Sequence, residues 1–392
     1  MTAARSPWPW RPFAAFGVFG LFWGAWGASL PAIKVQTGAS DAQIGLALLA
    51  LAAAALPAML SSGWIIDRLG DASLAPMTAA FGLAAALPGL ARSPLWLGAS
   101  LLAVGATSGA LDVTMNAVVA GDEGRSGRRL MHAAHATFSA GVVVASVSVG
   151  LARSGGAGPA IILGVVAALV LGVALLVLVS GLGDVRLTER AAAPSRGALM
   201  LQTPLLILGG LCALAYLVEN ALQSWSALHL EETLGGDPLI GGLGPAFFAG
   251  AAGLGRLGAQ GLSASLSDRQ LLIVAALVGT VGTIVTALAP STIIALGGVF
   301  LAGAGISIAA PTIFSLTGRL APGEHRGRAM STVTATAYLG FLLGPPMVGA
   351  VAGALDLRAA FLTVAGAAVL LGALTPLAPR SVGALRTGRA SG

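Results

Sequence analysis

Charged side chains are scarce in this sequence: Asp, Glu, Lys and Arg make up 9% of the 392 residues, whereas soluble globular domains contain about 25%. Apolar residues make up 56%, and the mean hydropathy is +0.89. A soluble protein of this length could not cover its surface with so few charges, and a disordered chain would not contain so many apolar residues. We therefore expect a protein whose surroundings are largely lipid.

Cysteine is nearly absent as well, because Cys212 is the only one, which excludes an intramolecular disulfide and a multi-cysteine metal site. The sequence contains no phosphate-binding glycine loop, no His/Cys metal cluster and no nucleophile motif. We expect neither an enzyme nor a cofactor or metal site.

Long apolar runs predict an all-α membrane protein with twelve transmembrane helices. A crossing needs about 20 residues, and nearly charge-free runs of that length recur along the chain. The stretch from Gln270 to Gly318 is too long for one crossing, and Pro290 predicts the break between the ninth and tenth spans. The predicted spans are 13–33, 42–66, 73–90, 95–119, 130–151, 159–182, 205–229, 240–261, 271–288, 292–316, 329–352 and 359–377.

The basic residues predict the orientation of these spans. With both termini in the cytoplasm, the outer side receives Lys34, Arg92, Arg153 and Arg358, and the cytoplasmic side receives all the others of the 21 basic residues. This bias also explains the isoelectric point near 10.9 without a nucleic-acid partner. We therefore expect a multi-pass protein of a cytoplasmic membrane.

Short motifs recur about 200 residues apart, which indicates duplication of a six-helix unit. Six spans return the chain to its starting side, so the two copies have the same topology and form parallel repeats. The sequence predicts six-helix domains at 1–182 and 204–392, joined by a cytoplasmic linker at 183–203. The matched motifs are Asp67-Arg68 with Asp268-Arg269, Gly127-Arg128 with Gly327-Arg328, Ala136-Thr137 with Ala335-Thr336, and Trp26 with Trp225.

The loop after the second span resembles the signature G-x-x-x-D-R-x-G of the major facilitator superfamily. Its residues here are Gly63, Asp67, Arg68 and Gly70. The resemblance implies a twelve-helix transporter in which this loop is a cytoplasmic latch that stabilises one conformation. A second, altered copy of the latch contains Arg256, Asp268 and Arg269.

Other strings resemble a bacterial branch of that superfamily that includes the rhizopine-cluster membrane protein and fucose-permease-like carriers. The branch implies a bacterial inner membrane. Ser29 stands where the resemblance leads us to expect an arginine, so we expect no anionic-substrate contact at that position. The strings contain Trp26 and Pro31, Asp112 and Asn116, His135 and Gly141, Glu219 and Trp225, and Tyr338 with Pro345 and Pro346.

Two acidic residues are predicted to lie deep within spans, where a charge costs about 2.5–3.5 kcal/mol or more and so requires a reason. Glu219 is predicted about 15 Å from the outer end of span seven, at 1.5 Å per residue. Tyr216, Asn220 and Gln223 lie within a turn of it. Glu219 is either a proton carrier or a structural acid bonded to a neighbouring helix; because span seven lines the cavity in the family, we favour the proton carrier.

Asp112 in span four is the second candidate for proton coupling. Asn116 lies one turn away, and His135 enters span five at a comparable depth. The three residues are either a protonation and substrate-binding cluster or a polar clasp between spans four and five. Trp26 and Trp225, in the repeat-related spans one and seven, are either interfacial anchors or cavity-lining rings that stack on a substrate.

These observations predict a monomeric secondary transporter that moves a small organic solute by alternating access. The cavity implied by the resemblance lies between spans one, four, seven and ten. Proton-coupled efflux is the first expectation because drug–proton antiporters are numerous, and proton-coupled uptake of a sugar or sugar derivative is the alternative. A membrane sensor or scaffold is a remote third, since a long soluble extension is missing from the sequence.

Overall fold

The computed structural model describes residues 10–126, 128, 130–181, 202–262, 265–321 and 326–379, without the side chains of residues 67, 124, 132, 326 and 327. Fourteen α-helices occur in these ranges. They are α1 Trp10–Thr37, α2 Asp41–Leu69, α3 Leu74–Ala85, α4 Leu87–Leu90, α5 Pro94–Ser126, α6 Met131–Ser154, α7 Pro159–Gly181, α8 Thr203–Leu228, α9 Pro238–Leu262, α10 Asp268–Leu288, α11 Thr292–Ile306, α12 Ala309–Leu320, α13 Arg326–Ala354 and α14 Leu357–Leu374.

The described residues form 12 helical segments that are long and apolar enough to cross a membrane, which confirms the predicted all-α fold. The third span contains α3 and the short α4, and the tenth contains α11 and α12. The seventh consists of α8 and a π-helical turn, His229–Thr233. The predicted break at Pro290 is confirmed, because α10 ends at Leu288 and α11 begins at Thr292.

Two helices begin with the same capping arrangement. The Ser40 hydroxyl accepts a hydrogen bond from the Gln43 N–H, and the Gln43 side chain accepts one from the Ser40 N–H. Ser267 and Gln270 make the same pair of bonds at the start of α10. Such a capping box satisfies N–H groups that the first turn leaves without helical partners, so both helix starts are set by local sequence.

The helices form two compact units. The first contains residues 1–193 and 227–249, and the second contains residues 194–226 and 250–392. In the first unit α1 packs on α6, α2 on α5 and α3 on α7; in the second, α10 packs on α11 and α14. The predicted linker lies outside the described residues except for Gln202 and Thr203, and the division into six-helix domains stays a prediction.

Two glycines, Gly141 and Gly340, follow the matched motifs Ala136-Thr137 and Ala335-Thr336 at the same spacing, and they bring helices into close contact in each unit. Gly141 of α6 lies against the backbone of Gly17 in α1, and a Cβ atom there would lie 2.5 Å from the Gly17 carbonyl oxygen. Gly340 of α13 lies against the Ala213 carbonyl of α8 in the same way. Small residues allow such approaches between helices in lipid. The sequence repeat therefore coincides with a repeated packing contact.

A second pair of contacts joins other helices of each unit. Gly105 of α5 lies against the Leu51 backbone of α2, and Gly255 of α9 lies against the Ala304 backbone of α11. A side chain at either glycine would overlap backbone atoms of the neighbouring helix. Gly255 thus fixes the position of the helix turn that includes Arg256.

We predict that Gly141→Ala and Gly340→Ala each lower the thermal unfolding midpoint of the purified protein, because overpacking against backbone costs about 1–3 kcal/mol or more. Gly172→Ala is the matched control, since a Cβ atom there meets open space on α7. Fluorescence-detected unfolding in detergent measures all three. Equal midpoints for the three variants would contradict the contacts.

Candidate functional site

One face of α8 is polar within the membrane-spanning part of the chain. Tyr216, Glu219, Asn220 and Gln223 follow the spacing i, i+3, i+4, i+7, which places them on one side of the helix, and all four are partly accessible. Because the π turn lengthens the span to Thr233, Glu219 lies about 24 Å along the helix from Thr203 and about 21 Å from Thr233 at 1.5 Å per residue. It is therefore farther from the predicted outer end of the helix than the sequence predicted.

Glu219 forms an ion pair with Arg256 of α9. The Nη2 atom of Arg256 donates to Oε1 of Glu219 over 2.9 Å. The side chain of Glu219 is 14% exposed and that of Arg256 is 43% exposed, so Arg256 is the more accessible partner of the pair. The sequence grouped Arg256 with the second latch and did not anticipate this contact, since 37 residues separate the two.

Aromatic rings border the polar face on the side of α13. The Tyr216 and Phe341 ring centroids are 4.6 Å apart, and those of Tyr338 and Phe341 are 5.7 Å apart. Next to Glu219, the Asn220 side-chain oxygen accepts a weak bond from the Ser224 hydroxyl at 3.4 Å. The second unit thus brings together a carboxylate, a guanidinium, an amide and aromatic rings.

The second predicted acid also has a partner on its own helix. The Nδ2 atom of Asn116 donates to the backbone oxygen of Asp112 over 2.8 Å and to its Oδ1 atom over 3.2 Å. His135 of α6 packs edge-on against Phe16 of α1, with centroids 5.1 Å apart. A direct contact between Asp112 and His135 stays a prediction.

The two repeat-related tryptophans are buried. Trp26 is 2% exposed and Trp225 is 0% exposed, so neither ring reaches the surface as an interfacial anchor would. The indole N–H groups of both lack a hydrogen-bond partner among the described residues. A cavity-lining role for these rings stays a prediction.

The loop of the first predicted latch has a backbone that requires glycine. Gly70 has φ of 53°, in the left-handed region that L side chains rarely adopt, and its N–H bonds to the Ile66 carbonyl at the end of α2. The guanidinium of Arg68 lies 3.6 Å from the Trp64 ring centroid, which is a cation–π contact. The Asp67 side chain is not among those that the structure describes.

Ion pairs that the sequence did not predict lie beside both latch regions. Arg125 at the end of α5 binds Asp71 over 2.8 Å and Asp122 over 2.7 Å. Arg319 at the end of α12 binds Asp268 over 2.6 Å. Partial burial acts to lower the pKa of Arg125, but the hydrogen bonds to Asp122 and Asp71 and their charges raise it above its ordinary value.

Arg269 of the second latch motif binds backbone instead of a side chain. Its guanidinium donates to the Pro376 carbonyl over 2.8 Å, and its Nε atom donates to the Ala378 carbonyl over 3.1 Å. These carbonyls follow α14, where helix ends leave acceptors without helical donors. Arg269 therefore ties the start of α10 to the segment after α14.

A cluster of ion pairs, here named the outer clamp, lies in the first unit at the predicted outer side. It consists of Arg153, Glu231, Lys34, Asp41 and Glu232. Both guanidinium Nη atoms of Arg153 contact the Glu231 carboxylate, at 2.5 and 2.8 Å, and Lys34 lies 2.6 Å from both Asp41 and Glu232. The Arg153 and Glu231 side chains are 7% and 13% exposed.

Glycines bring α9 close to α6 next to the outer clamp. A Cβ atom on Gly242 would lie 2.5 Å from the Ser146 carbonyl oxygen, and one on Gly150 would lie 3.0 Å from the Leu239 Cα atom. The sequence analysis assigned Arg153 and Lys34 to the outer side without partners. Glu231 and Glu232, two adjacent acids directly after the predicted span seven, were the feature of the sequence that could have indicated the outer clamp.

The chain was compared with known proteins. The family model of the Major Facilitator Superfamily matches residues 13–317 and 208–388. An uncharacterized MFS-type transporter of Yersinia pestis is 30% identical over 342 residues, covering 86% of each chain. The membrane protein MosC of Rhizobium meliloti is 27% identical over 347 residues, which cover 88% of this chain and 83% of MosC.

Solved structures show the same fold. The nucleoside transporter NupG, in a mutant form, has a TM-score of 0.77 at 14% identity and covers 95% of this chain and 99% of its own. The E. coli fucose:proton symporter FucP has a TM-score of 0.56 at 19% identity, with 94% and 98% covered. With these matches and the twelve membrane-length helices of its described residues, the chain belongs to the Major Facilitator Superfamily and is a multi-pass membrane transporter.

Proposed function

We propose that this transporter couples proton movement to the transport of a small polar organic solute, with Glu219 as the proton-carrying group. The ion pair between Glu219 and Arg256 is the observation that supports this proposal. A carboxylate at mid-span is stabilised by its counter-ion, and protonation removes that attraction. The protonation state of Glu219 would therefore control whether Arg256 has a partner.

Alternating access requires two conformations of different accessibility. In the first unit, the outer clamp joins α1 and α6 to the π turn after α8. For the outer side to open, the bidentate pair between Arg153 and Glu231 would have to separate. We assign the outer clamp to the stabilisation of the outward-closed state, with both termini in the cytoplasm as the basic residues predict.

The transporters whose structures resemble this chain favour uptake over efflux. One is a nucleoside transporter and another is a fucose:proton symporter. The expectation of efflux rests on the number of drug–proton antiporters in the superfamily and not on a residue of this chain. We therefore place proton-coupled uptake across a bacterial inner membrane first, by a transporter that acts as a monomer.

We predict that Glu219→Gln abolishes solute-dependent proton influx into proteoliposomes that contain a pH-sensitive dye. The amide keeps the size of the side chain but cannot carry a proton in this pH range. Nucleosides, hexoses, hexuronates and small ring acids are the solutes to be added. A wild-type response to any of them, lost in the variant, is the expected result.

Asp356→Asn is the control for this experiment. It makes the same carboxylate-to-amide change at the N-cap of α14, where asparagine also caps well, so wild-type flux is expected. Proton influx that is equal in Glu219→Gln and the wild type would contradict the role of Glu219. Proton influx that is absent from the wild type with every solute would contradict proton coupling.

We predict that Glu231→Gln increases outside labelling of a cysteine placed at Ala28. Ala28 is fully buried and its carbonyl accepts a bond from Arg153 over 2.7 Å, so the cysteine becomes accessible only when the clamp opens. The measurement uses a membrane-impermeant maleimide in a Cys212→Ser background. Loss of one charge of a buried pair is costly, which shifts the equilibrium toward the outward-open state.

Two further variants test the interpretation of this labelling. The reversed pair Arg153→Glu with Glu231→Arg restores opposite charges and is expected to reduce the labelling again. Asp237→Asn changes an acid near the clamp that bonds the Ile240 N–H instead and is expected to label as the parent does. Unchanged labelling in Glu231→Gln would contradict the role of the outer clamp in stabilising the outward-closed state.

A further inference from the structure

We infer that Arg256 is a substrate-binding residue that recognises the carboxylate of a ring-bearing organic acid, and that Glu219 occupies Arg256 until it takes up a proton. This inference rests on the proposed function and assigns it a substrate class. The predicted absence of an anion contact at Ser29 does not affect it, because Arg256 lies on a different helix.

The geometry of the ion pair leaves Arg256 able to bind a second group. Glu219 engages the guanidinium through Nη2 alone, whereas a guanidinium has five N–H donors in a fixed plane. The side chain of Arg256 makes no other hydrogen bond among the described residues. At 43% exposure, its remaining donors are open to a solute.

Protonation of Glu219 leaves Arg256 without a counter-charge among the described residues of this unit. The other acids among its described residues are occupied, because Asp268 binds Arg319 and Asp356 caps α14. An unpaired charge within a membrane span is costly. A carboxylate from a solute would restore the ion pair with Arg256. The two oxygens of a carboxylate can accept two parallel hydrogen bonds from one guanidinium.

The neighbouring groups on the described residues do not supply a competing positive charge. The residues around Tyr216, one turn from Glu219, are the Cys212 thiol on α8, the Tyr338 phenol on α13, Glu219 and Arg256, and the printed ion pair of Glu219 is with Arg256. The helix that packs against α9 at Gly255 is α11, and its sequence has no titratable side chain. Arg256 is therefore the cation that responds to the charge of Glu219.

The remaining surfaces of the site indicate a ring. Tyr216 lies one turn before Glu219 on α8, and its ring packs against Phe341 at a tilt of 40°, with centroids 4.6 Å apart. Asn220 and Gln223 extend the same face of α8 with amide groups that can bond hydroxyls. An apolar wall with a few fixed polar groups is typical of a small-molecule site. One proton and one monoanion would enter together, so the loaded site stays neutral.

Matched acid and neutral solutes test this assignment. The probes are benzoate with benzamide, nicotinate with nicotinamide, and glucuronate with glucose, each added to the purified full chain in detergent at pH 5.5 and pH 8. The thermal unfolding midpoint is measured, because a ligand that binds the folded state raises it. We expect at least one acid to raise the midpoint, more at pH 5.5 than at pH 8, and its neutral partner to leave it unchanged.

Three variants assign the shift to the ion pair. Arg256→Gln is expected to abolish the shift, and Arg256→Lys to retain a smaller one, because lysine keeps the charge but not the fork. Glu219→Gln is expected to give a shift of the same size at both pH values. Arg319→Gln, which removes an arginine of the same unit at its Asp268 contact, is expected to bind as the wild type does.

Several outcomes would overturn the assignment. These are equal stabilisation by an acid and its neutral partner, a full shift in Arg256→Gln, and no shift with any of the acids. If Arg256→Gln does not fold, a full-sized shift in Arg256→Lys, or retained pH dependence in Glu219→Gln, overturns it instead. Binding is measured without a proton gradient, so a failure of proton coupling leaves the shift intact, whereas proton influx driven only by neutral solutes rejects the anion site alone.

Discussion

Lipid offers no hydrogen bonds, and this constraint governs the rest of the structure. Backbone groups in the spans must be satisfied within helices, and helices must associate through close contacts because lipid tails are as apolar as their side chains. The contacts of Gly141 with Gly17 and of Gly340 with Ala213 meet this requirement at repeat-related positions in the two units. Backbone packing of this kind holds the polar faces of the helices in fixed positions.

The same constraint explains how the few charges are arranged. In the first unit, Arg153 and Glu231 neutralise each other through two parallel hydrogen bonds while almost fully buried. In the second unit, Glu219 and Arg256 share a single bond, and the base is far more exposed than the acid. A closed bidentate pair is suited to holding a conformation, and a monodentate, open pair is suited to exchanging one of its partners.

The candidate site takes its parts from three helices of the second unit. The polar face of α8 supplies the acid and the amides, α9 supplies the base, and α13 supplies the aromatic wall next to Tyr216. Gly255 fixes the turn that includes Arg256 by its contact with Ala304. The chemistry of the site therefore depends on packing contacts made by residues that are not themselves polar.

The sequence by itself determined the twelve spans, the break at Pro290, the family and the presence of an acid within span seven. These follow from hydropathy and helix-breaking residues, which are local properties that add along the chain. Only the tertiary structure decided which base neutralises which acid. Glu219 and Arg256 are 37 residues apart, and Arg153 and Glu231 are 78 apart. Charge counting could not distinguish Arg256 from other arginines near span ends, because an ion pair depends on the rotation and contact of two helices, which side-chain packing sets.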